Sequence, residues 1–218
     1  MSSLIIWHLI AFSLFWSFAI TTNTSKMCFK VETLGSGSYN LGEGPHWEPK
    51  SQSLFFVDAF VDRIHRWKSG TNQTNGRTEE YDLKDLVTIV IPFKDSEDFV
   101  LVSLRNKIIK LNIKSVKYEV IDQIGPQFEG KERFNDGKVD ALGRLWIGSV
   151  FDGPKGALPQ KGSLYKLEKN KFVKMSENFT LSNGITWNLN NTKMYFNNSE
   201  DQKIYVFDID LQKGLICG

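Results

Sequence analysis

Leu54-Phe-Phe-Val-Asp-Ala-Phe-Val-Asp-Arg-Ile-His-Arg-Trp67 is two short apolar strands around a polar turn. The phrase recurs along the chain. Its leading strand returns as Phe99-Val-Leu-Val-Ser103, Leu145-Trp-Ile-Gly-Ser149 and Met194-Tyr-Phe-Asn-Asn198, with starts 45, 46 and 49 residues apart. Its second strand, Ile64-His-Arg-Trp67, returns as Ile108-Ile-Lys-Leu111, Leu164-Tyr-Lys-Leu167 and Ile204-Tyr-Val-Phe207. A period of this size with several strands per unit is the signature of β-propeller blades. The sequence therefore predicts an all-β chain of four-stranded blades, about four of them present.

A further strand and a tight turn precede each leading strand. Glu43-Gly-Pro-His-Trp47, Thr88-Ile-Val-Ile-Pro92, Asp136-Gly-Lys-Val-Asp140 and Asn183-Gly-Ile-Thr-Trp187 fill this place. The connections are rich in Asn, Asp, Gly, Ser and Pro, which accept turn dihedrals or bond their own backbone. In a propeller the first strand of each blade lines the central channel. Counting back eleven positions from each leading strand gives Glu43, Thr88, Phe134 and Asn183, with Asn135 and Asp136 beside Phe134. Repetition would bring Glu43, Asn135, Asp136 and Asn183 to one mouth of that channel. A carboxylate with amide oxygens is a hard-oxygen set, which suits calcium or magnesium better than softer metals. Each of these residues also suits an ordinary turn, so their common phase is what singles them out. His46 and His65 read as packed strand residues, and Trp47, Trp146 and Trp187 as core.

Composition sets wider bounds. The 218 residues are 41% hydrophobic and 13% aromatic, enough for a sizeable core and favourable to strands. The net charge of +2 is spread along the chain, so no nucleic-acid footprint is expected. No Ser-His-Asp arrangement, nucleophile elbow, phosphate-binding glycine loop, Cys-x-x-Cys pair or His-Glu-x-x-His helix is visible. Metal-assisted polar chemistry, or binding, remains.

Leu4 to Ile20 is an apolar run followed by polar Thr21-Thr-Asn-Thr-Ser25. Small residues at Ser17 and Ala19 make residues 1–19 a signal peptide by expectation, too short for a comfortable membrane span and without Lys or Arg ahead of it. Secretion follows, or a cytoplasmic form if translation starts at Met27. Asn-x-Ser/Thr sequons at Asn23, Asn72, Asn178, Asn190 and Asn197 fit the secretory route. Cys28 and Cys217, the only cysteines, read as free thiols although an oxidising compartment would let them pair.

Leu41-Gly-Glu-Gly-Pro-His-Trp47, Phe55-Phe-Val-Asp58, Arg133-Phe-Asn-Asp-Gly-Lys-Val-Asp140, Gly162-Ser-Leu-Tyr165 and Ser182-Asn-Gly-Ile-Thr-Trp187 resemble the senescence-marker/regucalcin/gluconolactonase family. The Gly-Glu-Gly-Pro-His-Trp form and the Ile91-Pro92 segment are most similar to insect members, including those called luciferin-regenerating enzymes. The resemblance implies a six-bladed propeller with one divalent cation in its channel, usually calcium, with Zn2+, Mn2+ or Mg2+ as alternatives. The common activity is lactone hydrolysis, and the implied partner a small sugar-like lactone. Glu43 and Asn183 match two of three metal ligands. Arg133 and Asn135 match substrate-contacting residues, with Asp136 beside them in the same motif. The third ligand, an Asp in a Pro-Asp-Gly motif that also serves as general base, is expected beyond Gly218, so no catalytic base is assigned within the chain. A substrate-contacting Glu of vertebrate members aligns near Gly153, next to Asp152. Asn197-Asn198 stands where relatives often carry Ile-Asp. Residues 27–218 thus read as a partial propeller cut short by a truncated gene model or splicing. The alternatives are a non-enzymatic calcium-binding or partner-binding propeller, self-association through an open edge, and an inactive truncated isoform.

Overall fold

The computed structural model describes residues 31, 33–34, 37–70, 76–128 and 130–217. The expected signal segment, Met27, Cys28 and the sequons at Asn23 and Asn72 lie outside them. Four antiparallel sheets follow one another along the chain as the blades of a β-propeller. Blade 1 is β1 (Gly42–Glu48), β2 (Ser53–Asp58), β3 (Arg63–Lys68) and β4 (Arg77–Asp82); blade 2 is β5 (Val87–Pro92), β6 (Phe99–Leu104), β7 (Lys107–Asn112) and β8 (Lys117–Gln123). Blade 3 holds β9 (Glu132–Val139), β10 (Leu145–Gly153), the two-residue β11 (Gly156–Ala157), β12 (Gly162–Glu168) and β13 (Lys171–Phe179). Blade 4 is β14 (Ser182–Trp187), β15 (Lys193–Asn198), β16 (Lys203–Asp210) and β17 (Leu215–Cys217).

Strand alternation sends successive side chains to opposite faces of a blade, so each blade has an apolar side for each neighbour. The cores accordingly lie between blades. Phe55, Val57 and Ile64 of blade 1 pack with Val87, Val90 and Val102 of blade 2. Ile89, Ile108 and Ile124 meet Phe134, Ile147 and Tyr165 of blade 3. Trp146, Leu164 and Phe179 meet Ile185, Met194, Phe196 and Phe207 of blade 4. The other flank of blade 1, formed by Leu54, Phe56 and Trp67, is covered by Leu34 and Tyr39 from the incoming chain.

The tryptophans divide along the same lines. Trp146 is fully buried and Trp187 half-buried between blades 3 and 4. Trp47 corrects the core expectation, because it is 45% exposed. It pairs with Leu54 and so shares the blade 1 flank that no described blade covers.

The inner strands stand side by side, β1 against β5, β5 against β9 and β9 against β14. Each inner strand breaks register at the same place. Between Glu43 and His46, and between Val87 and Val90, two residues face one on the partner. Asn135 and Asp136 together oppose Gly148 in β10, and Gly184 is the extra residue of β14. Such bulges bend a strand and re-aim its side chains. In β1 the bulge uses Gly44 at φ +58°, where a Cβ would also lie 3.2 Å from the Thr88 carbonyl oxygen.

Candidate metal and substrate site

The four residues singled out by the repeat lie at these bulges, and Arg133, named by the resemblance, stands beside them. Glu43 and Asn183 are the last paired residues before the bulges, Asn135 and Asp136 are the bulge of β9, and Arg133 lies two residues before Asn135 on the same strand. Thr88 and Phe134, which share the phase, are both buried. Thr88 is engaged with the Ser103 hydroxyl at 2.8 Å, and Phe134 belongs to the core.

A chain of hydrogen bonds joins blades 3 and 4 across the mouth. Arg133 Nε donates to both carboxylate oxygens of Asp152 at 3.0 Å. Its Nη1 donates to Asn135 Oδ1 at 3.0 Å. Asn135 Nδ2 then donates to the Ser182 carbonyl at 2.7 Å and to Asn183 Oδ1 at 2.9 Å. Asn183 Nδ2 donates to Ser199 Oγ at 2.9 Å. With both ends of its amide engaged, Asn183 holds its oxygen on the Asn135 side. Ser182 can come this close because Gly148 lies beneath it, where an added Cβ would fall 2.3 Å from Ser182 Cβ.

The carboxylates supply the charge. Burial raises the Glu43 pKa, the neighbouring Asp136 carboxylate raises it further, and Arg133 offsets part of the rise. Burial also raises Asp136, tempered by the amides of Gly137, which donates at 2.8 Å, and Gly184, and by Lys138. Two desolvated acids within reach of each other favour a bound cation or a shared proton. Among the described residues no group of three or more His, Cys, Asp or Glu gathers to hold a metal. A dication here would rest on the Glu43 carboxylate and the Asn183 oxygen, with the Asp136 carboxylate close by, a hard-oxygen pair that fits calcium-type ions.

Asp152, Ser182 and Ser199 are the members that sequence reading missed as partners. Their signal was faint. Asp152 was named only as a neighbour of Gly153, and Ser199 lies just beyond a leading strand. His46 is a strand residue held toward neutrality by burial, against Glu48 and with Lys138. A cleft of about 1300 Å3 runs along blade 1 beside Tyr39, Arg63 and His65 rather than at the inner-strand bulges.

The fold has known counterparts. Residues 41–217 match the family model described as SMP-30/Gluconolactonase/LRE-like region. The chain belongs to that family. It is 30% identical over 190 residues to regucalcin of Gallus gallus and 31% identical to that of Homo sapiens, covering 86% of this chain and 61% of each relative. Among solved structures, a luciferin-regenerating enzyme superposes with TM-score 0.76 at 30% identity, covering 84% of this chain and 60% of that one. A calcium-binding protein, regucalcin, from Agrobacterium tumefaciens gives TM-score 0.72 at 22% identity and supports the fold alone. The chain thus spans about three fifths of the length of the curated relatives it matches. Among the described residues no helix is long and apolar enough to cross a membrane.

Proposed function

We propose that this chain carries part of the site of a divalent-cation-dependent lactone hydrolase, with calcium as the ion. The gathering of Glu43, Asp136, Asn135 and Asn183 at the bulges of the inner strands of blades 1, 3 and 4, with Arg133 beside them on β9, carries this reading. Glu43 and Asn183 would hold the cation, which when bound supplies Lewis-acid polarisation of a lactone carbonyl. Arg133 is held at Nε by Asp152, which fixes the plane of its guanidinium beside Asn135. The pair would orient ring hydroxyls and donate to the developing oxyanion. Asp136 would accept from a substrate hydroxyl. No Pro-Asp-Gly occurs in these 218 residues, so the family's general base is not among the groups assigned here.

The test is hydrolysis of gluconolactone with and without added calcium, in the wild type, Glu43→Ala and Asn183→Ala. Loss of the calcium-dependent rate in both variants is expected. Unchanged activity in both would sink the metal assignment. A calcium-dependent rise in Tm without hydrolysis would instead support a second reading, a calcium-binding or partner-binding propeller. Ile204 and Val206, 67% and 49% exposed on one face of blade 4, favour that reading, since such a face suits association through the blade.

We also propose entry into the secretory route through residues 1–19. Chain recovered from culture medium should begin at Ile20 by N-terminal sequencing, and an intact Met1 would refute it.

A further inference from the structure

The β1–β2 turn (49–52) and the β5–β6 connection (93–98) follow the ends of β1 and β5 remote from Glu43 and Thr88. Between them lies a cavity of about 280 Å3 with an apolar lining of Phe55, Phe93, Phe99 and Val100. One charged side chain in its wall is nearly buried. Arg66 is only 5% exposed. Its Nε donates to Ser53 Oγ at 3.2 Å, and its guanidinium carbon stands 5.1 Å from the centroid of the Phe55 ring.

Among the described residues Arg66 makes no direct ion pair and its terminal nitrogens find no protein acceptor, although its charge reaches Glu79 and helps lower that carboxyl's pKa. Its cross-strand neighbour Glu79 is held instead by Lys68 Nζ and Tyr81 Oη, both at 3.0 Å. Glu48, on the cavity wall, accepts from the amides of Lys50 and Ser51 at 3.2 and 2.7 Å. Lys50 Nζ donates to the Lys94 carbonyl at 3.2 Å and so ties the two turns together. Arg66 stands in the cavity wall with free terminal nitrogens, and a guanidinium presents a planar fork of donors that matches one carboxylate.

We propose that this cavity binds the carboxylate of a small organic acid, with the fork of Arg66 as its anchor. The apolar lining receives the carbon end. Around the cavity Glu48, Asp95 and Glu97 balance Arg66, Lys50 and Lys94, so a second negative charge meets no excess cation, which favours a monoanion over phosphate. The volume limits the acid to a few carbons, since drug-sized sites begin near 300 Å3. None of this depends on the channel-mouth reading, and the residues involved are separate from it.

Titration of the full chain with acetate, glycolate and inorganic phosphate, followed by amide chemical shifts, tests the site. Acetate and glycolate should saturate shifts around residues 50–53 and 93–97, with phosphate weaker. Arg66→Gln should weaken acetate binding by about tenfold or more, the usual consequence of losing a charged bidentate fork. Should Arg66→Gln not fold, Ser96→Trp fills the cavity from its loop and should abolish the shifts with Arg66 in place. Absence of saturable shifts in the wild type overturns the proposal. So does undiminished binding in either variant, or phosphate binding as tightly as acetate.

Discussion

Asn183 has little freedom to turn its amide. Asn135 Nδ2 sits on its oxygen and Ser199 Oγ on its nitrogen. Partners of this kind orient metal ligands and commonly change affinity by tens of fold when removed. Ser199→Ala should therefore weaken calcium binding by about tenfold while moving stability by no more than about 0.5 kcal/mol, as befits an exposed hydrogen bond. Calorimetric titration paired with a urea melt would separate the two effects. Gly148→Ala should do the reverse. Its new methyl group would press on Ser182 and cost about 1–3 kcal/mol, read as a lower urea midpoint. The repeat made Glu43, Asn135, Asp136 and Asn183 legible, because phase is a property of the sequence. Ser199 and Asp152 were illegible as partners, because their roles exist only once blades 3 and 4 stand side by side.

The strands that carry the candidate ligands are anchored alike. Asp58, at the end of β2, accepts from the amides of Asn40 and Leu41, both at 2.9 Å. Asn198, at the end of β15, accepts from Thr180 and Leu181 at 3.1 and 3.0 Å. Each fixes the two residues that lead into an inner strand, fifteen residues after Glu43 and Asn183 respectively. Removing either as Asp58→Ala or Asn198→Ala leaves two amides without their acceptor, partly buried for Asp58 and one of them fully buried for Asn198, a loss of about 1–3 kcal/mol in a denaturant melt. Asn rather than Asp at position 198 suits its surroundings. Asn198 Nδ2 donates to Asp201 Oδ2 at 2.8 Å, and a carboxylate there would face Asp201 with like charge. Asn198→Asp should thus destabilise unless Asp201→Asn accompanies it. The sequence marked Asp58, Ser103, Ser149 and Asn198 as strand ends, yet their bonding could not be read because the amides they hold lie in other segments.

β3 adds a pH effect. His65 packs between the rings of Phe56 and Tyr39, at 5.0 and 4.9 Å, with no hydrogen-bond partner among the described residues. Burial lowers its pKa from 6.5, outweighing Glu80 and Asp58, which raise it, while Arg63 adds to the lowering. A lowered folded value means the unfolded chain binds the proton more tightly. Stability from this group is full above the unfolded value of 6.5 and is lost as pH falls through and below it. His46 shifts the same way. Melts at descending pH should show Tm falling below about 6.5, and His65→Phe should flatten that decline.

Across the molecule, apolar cores between blades are bound by polar clamps at the rim. Arg144 reaches from blade 3 to the Leu211 and Gln212 carbonyls past β16, and buried Lys166 donates to Gly214 O at 2.8 Å. Asp140 holds Arg144 at 2.8 Å and the Trp146 indole at 3.0 Å. Blades 2 and 3 are joined by Asp122, which accepts from Lys171 Nζ and the Phe172 amide at 2.9 and 2.7 Å. The opposite side of blade 4 carries no such clamp among the described residues. Ile204→Lys with Val206→Lys should leave the unfolding midpoint within about 0.5 kcal/mol, as exposed substitutions do. Light scattering across protein concentrations should then show less association than in the wild type. Blade count and boundaries were readable from the 45–49-residue spacing. The exposure of Trp47 was not, since a strand pattern does not say which flank finds a neighbour.

The bulge shared by every inner strand has one more consequence. It separates pairing from chemistry: the ladder on either side of it closes whatever residue stands at the break. Glu43, Phe134 and Asn183 stand just before the break and Thr88 within it, an acid, an aromatic ring, an amide and a hydroxyl at one phase of the repeat. The ring of blades is therefore a row of interchangeable sockets, in which charge and donor type can be exchanged one blade at a time while the sheets keep their register.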